Sequence, residues 1–89
     1  MNKNMERFID SIESPNSKKV AKFALKNVDE DLENCSPIGL EQIVLNKKPS
    51  SQKEIITIIY IFSSYAKWLG NDNLYQTLQS LDNIIRSMV

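Results

Sequence analysis

"SSQKEIITIIYIFSSYAKWLG", residues 50–70, is the stretch on which the fold class turns. Its centre, "IITII" at 55–59, is where β-branched residues crowd together as they do in a strand. Two features decide for a helix. Ser51 and Glu54 stand three apart just ahead of the apolar run, the spacing of a capping box. Ile55, Ile58, Ile59, Phe62, Ala66 and Leu69 then recur three and four apart over more residues than a strand holds. The spacing predicts a helix over 51–69 that is apolar on nearly every side between 55 and 62, and so central to a bundle. Gly70 follows as a left-handed C-terminal residue.

Downstream, Asn71 or Asp72 caps a last helix, 72–88, in which Leu74, Leu78, Leu81, Ile85 and Met88 step by four, three, four and three. That stripe is either core or a surface for another chain. Upstream, a short first helix over 4–13 buries Met5, Phe8, Ile9 and Ile12. Ser14 caps the next helix, with Pro15 at the first helical position, where its missing N–H is harmless. This second helix is expected over 15–34, with Val20, Phe23, Ala24, Val28 and Leu32 as its core face and Lys18, Lys22 and Lys26 as a second stripe. After "NCSPIG" a short third helix is expected over 40–45, closed by "NKKPSS". The expected fold is all-α, a compact bundle of four to five helices forming one domain over 1–89.

The 89 residues suffice for one domain and not for two. A domain of this size buries about 60 to 65% of the surface that its unfolded chain exposes, so its core is modest. With 42% hydrophobic and 25% charged residues, two Gly and three Pro, the composition is that of an ordinary globular chain. The N-terminus lacks the continuous apolar run of a signal peptide, and 55–62 falls well short of the ~20 residues that span a bilayer. A cytoplasmic protein without membrane contact is expected.

Residues that carry chemistry are scarce. Cys35 is the one cysteine and no His is present, so an internal disulfide, a Cys/His zinc site and a Cys-His nucleophile pair are all excluded by the sequence. Cys35 is expected to pack as a small apolar residue at a helix end. The acidic run at 29–33 lies along one expected helix, where its carboxylates diverge and cannot converge on a metal. Tyr60, Tyr65 and Tyr75 are expected to pack against the core, with Trp68 at its rim. No glycine-rich phosphate loop is present. These residues imply no catalytic site, no metal and no cofactor: the chain by itself is not expected to be an enzyme.

Eleven basic and eleven acidic residues cancel, so any case for a nucleic-acid partner rests on how the charges are distributed. Lys18, Lys19, Lys22 and Lys26 precede the acids at 29–33, which opposes the dipole of a helix running through both. A second basic patch, Lys47, Lys48 and Lys53 with Ser50 and Ser51, surrounds the start of the fourth helix. A phosphate backbone would complement both, because Lys side chains, hydroxyls and helix N-terminal N–H groups are its usual ligands. The plainer alternative is a solvated face with pairs such as Lys26 and Glu30.

The order of elements bears on that choice. A short helix, then "SPNSKKVAKFALKNVDEDL", a short helix after "SPIGLEQIV", then "SSQKEIITIIYIFSSYAKWLG", resembles the N-terminal core-binding domain of tyrosine recombinases and phage integrases, a SAM-like helical domain. The resemblance covers about 8–69. In that family the second helix opens with Ser/Thr followed by basic residues, as Ser17, Lys18 and Lys19 do. The fourth opens with a Ser/Thr-rich turn and closes on aromatic, basic and leucine residues, as "SSYAKWL" does. Thr57 and Ile58 stand where many members carry basic residues. The resemblance implies a clamp on double-stranded DNA at a recombination site. Ser17, Lys18, Lys19 and Lys22 would then contact phosphates, with Lys26, Lys47 and Lys48 in the same basic patches, and Ser50, Ser51 and Lys53 would open the fourth-helix contact.

The family's catalytic Arg/His set and nucleophilic Tyr have no counterpart here, so the partners implied are DNA, a C-terminal catalytic domain and neighbouring subunits. The alternatives are a non-catalytic DNA-binding regulator of a phage or mobile element, or an interaction module using Leu74, Leu78, Leu81, Ile85 and Met88.

Overall fold

The structure, a computed structural model, describes residues 1–26, 28 and 31–87. Five α-helices follow one another: α1 (Lys3–Ser11), α2 (Pro15–Leu25), α3 (Pro37–Asn46), α4 (Gln52–Leu69) and α5 (Asp72–Ser87), with a single 3-10 turn at Leu32–Asn34 between α2 and α3. There is no strand among the described residues, and the all-α class expected from 50–70 holds.

Each helix starts where a side chain can accept an orphan N–H. Asn2 accepts from the Met5 amide at 2.8 Å, Ser36 from Gly39 at 3.0 Å, Ser51 from Glu54 at 3.2 Å and Asn71 from Leu74 at 3.1 Å. Pro15 and Pro37 occupy first-turn positions. The capping box of α4 is shifted: Glu54 accepts from the amide of Ser50 at 3.2 Å and from its hydroxyl at 2.7 Å, one residue before the cap. Those two bonds hold the Glu54 carboxyl below its ordinary pKa. Gly70 ends α4 at φ +75°, the left-handed conformation that glycine alone adopts without strain.

The second helix is shorter than expected. It stops at Leu25, with Lys26 extended at φ −60° and ψ 133°, and Leu32–Asn34 form a separate 3-10 turn. The sequence that follows, "KNVDEDLEN", is rich in Asn and Asp, which hydrogen-bond nearby backbone in non-helical conformations. Continuing through it would also have put four acids against the negative end of the helix dipole. The buried face is rotated as well. Ala21, Ala24 and Leu25 are buried, whereas Val20 and Phe23 are 37% and 48% exposed. Ala24 is buried as expected, while Ala21 and Leu25 take the places expected for Val20 and Phe23, and small contact residues let helix axes approach closely. Val28 and Leu32 do reach the core. The third helix begins three residues earlier than expected because Ser36 caps it.

As its composition predicted, α4 is the central element: it packs most extensively on α5 and also touches α1, α2 and α3. Ile58, Ile59, Phe62, Tyr65 and Ala66 are buried along it, and Ile55 and Leu69 pack against the cluster. Phe8 of α1 meets Tyr65 edge-on at 5.6 Å between ring centroids and Trp68 at 5.9 Å, which pins α1 to the end of α4. Gln52 donates to the Ile85 carbonyl at 2.7 Å and so ties the start of α4 to the end of α5. Among the described residues no helix is long and apolar enough to cross a membrane.

Candidate nucleic-acid interface

The candidate residues divide by what the fold does with them. Ser17 lies in the first turn of α2 and, with Asn16 and Val20, forms one wall of an open groove of about 420 Å³. Thr57, Tyr60, Ile61 and Ser64 of α4 form the other wall, Phe8 and Ile12 of α1 add apolar surface, and no acid is among its described lining residues. Lys19 and Lys22 are exposed and Lys18 is half-buried. At about 100° per residue, Lys18 and Lys22 fall on the other flank of the buried Ala21 and Leu25 from Ser17 and Val20. The lysine stripe therefore borders α2 rather than the groove.

Lys26 and Lys47, distant in sequence, are brought together. The Lys47 ammonium donates to the carbonyl of Phe23 at 3.3 Å and to that of Lys26, so it caps the C-terminal end of α2. Desolvation, and then the charge of Lys26, lower its pKa from the ordinary value. Lys47 thus has a structural task that the sequence did not announce, and it is not an open phosphate ligand. Lys48 is exposed with a left-handed backbone at φ 51°. Ser50 and Ser51 are occupied by the α4 cap described above. Lys53 is exposed on α4, where it shares a shallow groove with Ile56, Thr57 and Arg86.

The expected partner stripe of α5 is internal. Leu74, Leu78 and Leu81 are buried and Ile85 packs against the same cluster, while Met88 lies outside the described residues. Of the acids at 29–33, Asp31 accepts from the Asn2 side chain at 3.1 Å and Glu33 from the Tyr65 hydroxyl at 3.3 Å; Asp29 and Glu30, and with Glu30 the expected pair to Lys26, lie outside the described residues. Among the described residues no three His, Cys, Asp or Glu side chains are grouped to hold a metal. Cys35 is half-buried against the core.

Tyr60 corrects an expectation. Tyr65 is fully buried and Tyr75 half-buried, but Tyr60 is 67% exposed. It stands on the outward face of α4, where it also borders a second groove, of about 320 Å³, between α4 and α5. Lys67, Ser64 and Arg86 line that groove, together with Asp82, which is paired to Arg86 at 2.8 Å. In the sequence Tyr60 reads as a core residue, Ser64 and Lys67 enter only within "SSYAKWL", and Arg86 carries no reading. A signal was available: Lys53, Tyr60 and Lys67 recur every seven residues and so share one stripe, opposite Ile58, Phe62 and Tyr65.

No protein-family model, curated protein or solved structure matches the chain.

Proposed function

We propose that this chain binds double-stranded DNA as a core-binding domain of the kind found in tyrosine recombinases and phage integrases, one half of a clamp around a recombination site. The observation that carries the reading is the pairing of α2 and α4. These two helices pack on each other and, with Phe8 and Ile12 of α1, line an open and largely apolar groove into which Asn16, Ser17, Thr57, Tyr60 and Ser64 bring polar groups, with no acid among its described lining residues. Lysines lie on the same two helices outside the groove, Lys18, Lys19 and Lys22 on α2 and Lys53 and Lys67 on α4. Hydroxyls and ammonium groups, which these two helices carry on their open faces, are the usual ligands of a phosphate backbone. Strand cleavage would need catalytic residues that these helices do not carry. A non-catalytic regulator on the same scaffold would use the same surface. The interaction-module alternative loses its motive, since the stripe it needs is buried.

Fluorescence anisotropy with a labelled duplex tests the reading. Charge reversal at Lys18, Lys19 and Lys22 is expected to abolish binding while the melting temperature stays put. Contact with four phosphates gives a slope of log affinity against log salt of about −3.6. Unchanged binding by the reversed variant, or a flat salt dependence, sinks the proposal.

A further inference from the structure

The groove between α4 and α5 differs in character from the apolar one beside α2. Of its described lining residues only Ile56 and Ile59 lack a polar side-chain group, and its volume of about 320 Å³ is at the small end of the range of ligand sites. Two hydrogen bonds fix how its walls face each other. Gln79 donates to the Ser63 hydroxyl at 3.3 Å and Gln52 to the Ile85 carbonyl at 2.7 Å, so the two helices run antiparallel with Ser63 level with Gln79. Lys67 then lies on one side of that level and Arg86 on the other, about 16 Å apart along the helix axes. Side chains on a helix lean toward its N-terminus, and on antiparallel neighbours these directions oppose. Lys67 and Arg86 therefore lean toward each other over the groove. If each reaches back one turn, their charged heads are offset by only about 5 Å along the axes. Arg86 does reach back: its Nε donates to Asp82 Oδ2 at 2.8 Å. Asp82 is the inner member of that pair, 16% exposed against 58% for Arg86, so it anchors the guanidinium from beneath and leaves the Nη groups open. Lys67, Ser64 and Tyr60 make no side-chain hydrogen bond or ion pair among the described residues.

We infer that this groove binds a small phosphate monoester joined to a planar ring, a ligand of nucleoside monophosphate size, with the phosphate between Lys67 and Arg86 and the ring on Tyr60. A phosphate monoester carries a charge of about −1.5 to −2 at neutral pH and three acceptor oxygens. The Lys67 ammonium, the Arg86 Nη groups and the Ser64 hydroxyl are donors on the same groove, and its two cations outnumber its one acid. Tyr60 is 67% exposed and offers a ring face on which a planar ring can stack. A plainer account exists for each cation alone. Lys67 complements the dipole in the last turn of α4, and Arg86 is the i,i+4 partner of Asp82. It gives no reason for the two to converge over a polar cavity beside an exposed tyrosine. The site does not rest on the DNA reading, since neither Lys18 to Lys22 nor the groove beside α2 takes part.

The test titrates the full, isotope-labelled chain with adenosine monophosphate and follows the backbone amides by NMR, with adenosine and inorganic phosphate as comparison probes. The nucleotide is expected to shift the amides of Ser63, Ser64, Lys67, Gln79 and Asp82 to saturation and to leave those of α1 and α3 in place. It should bind about tenfold or more tighter than either probe, because one site holds both of its parts. Lys67→Gln and Arg86→Gln are each expected to weaken it about tenfold, the loss of one charge-assisted hydrogen bond. Tyr60→Leu should weaken the nucleotide and leave inorganic phosphate unchanged. Lys3→Gln makes the same charge change on α1 and should have no effect. All four side chains are exposed, so melting temperatures serve as a check that the variants fold. The absence of a saturable shift overturns the inference, as does binding of adenosine or inorganic phosphate as tight as that of the nucleotide. Equal weakening by Lys3→Gln and Lys67→Gln also overturns it, because bulk charge would then be the cause. None of these results bears on duplex binding, which the lysine reversals on α2 test separately.

Discussion

Leu78→Ala is the perturbation that most directly tests how the last helix is used. Leu78 is fully buried in the middle of α5, with the buried Leu74 and Leu81 about one turn to either side. Replacing it removes three methyl or methylene equivalents from a packed site whose neighbours are held by two other helices, α3 and α4. Buried Leu→Ala changes cost about 2 to 5 kcal/mol, and a site flanked in this way has little room to collapse, so we take about 3 kcal/mol. A domain of 89 residues is stable by about 4 to 13 kcal/mol and unfolds with an entropy near 0.19 kcal/mol/K. The variant should therefore melt about 15 °C lower. Ile84→Ala is the internal control: it lies on the same helix but is 58% exposed, and its effect should stay within about 0.5 kcal/mol, or 3 °C. Thermal melts by far-UV circular dichroism at two protein concentrations measure both. A drop below about 5 °C for Leu78→Ala, or one that changes with concentration, would mean that the stripe faces a second chain and that the core assignment is wrong.

Three further outcomes are expected. Gly70→Ala meets no atom within 4 Å of the added methyl, so only the left-handed backbone is strained, and stability should fall by about 1 kcal/mol with α4 otherwise intact; an unchanged melting temperature would show that the turn relaxes freely. Burial, and next the Glu33 carboxylate, push the Tyr65 phenol up to about 12, so the unfolded chain releases this proton first and stability declines as pH rises from about 10 toward 12. Ultraviolet titration should find a late-ionising tyrosine that Glu33→Gln moves downward, and identical titrations of the two proteins would remove Glu33 as a cause. Lys47→Met frees the carbonyls of Phe23 and Lys26, and hydrogen exchange at the amides of Lys26 and Val28 should speed up while that of α4 does not; unaltered exchange there would mean that the ammonium does not hold the end of α2.

The sequence is most legible where one residue type has one job. Ser51, Gly70 and the apolar spacing of 55–69 specify α4 with its ends, because a cap, a left-handed stop and a three-four repeat each have few alternative uses. It is least legible at α2. There a periodic stripe could be drawn through Val20 and Phe23, but burial is decided by which side chains let α4 come close, and Ala21 and Ala24 do so. Hydrophobicity alone ranks a phenylalanine above an alanine, and contact geometry reverses the order. The same limit applies to the candidate interface. Lysines can be counted in a sequence, but Lys47 and Lys53 are separated only by tertiary structure, one turned onto backbone carbonyls and the other left on an open face. Tyr60 was misplaced for a related reason: in a helix so apolar that nearly every position can pass for core, only the packing of α1, α2 and α5 shows which face stays open.

The reversed charges of α2 can now be apportioned between fold and function. At its C-terminal end nothing is left to explain: the helix stops before the acids, Lys22 sits in its last turn, and Lys47 adds a second cation to the same terminal carbonyls from the end of α3. Both cations are where a helix dipole favours them. At the N-terminal end the mismatch persists. The first turn holds no acid, Ser14 answers the Ser17 amide at 3.5 Å, and Lys18 and Lys19 follow at once. This end thus carries cations where the helix dipole disfavours them, and the other end does not. The DNA reading proposed above therefore rests on Ser17 to Lys22 and on the outward face of α4, while the Lys47 ammonium and the Lys26 carbonyl that it holds belong to the architecture. The two groups should separate by experiment: reversal at Lys18 and Lys19 should lower duplex affinity and leave the melting temperature in place, whereas reversal at Lys47 should lower the melting temperature first. Equal loss of affinity at matched stability from both would put Lys47 back on the DNA-facing surface and break the division.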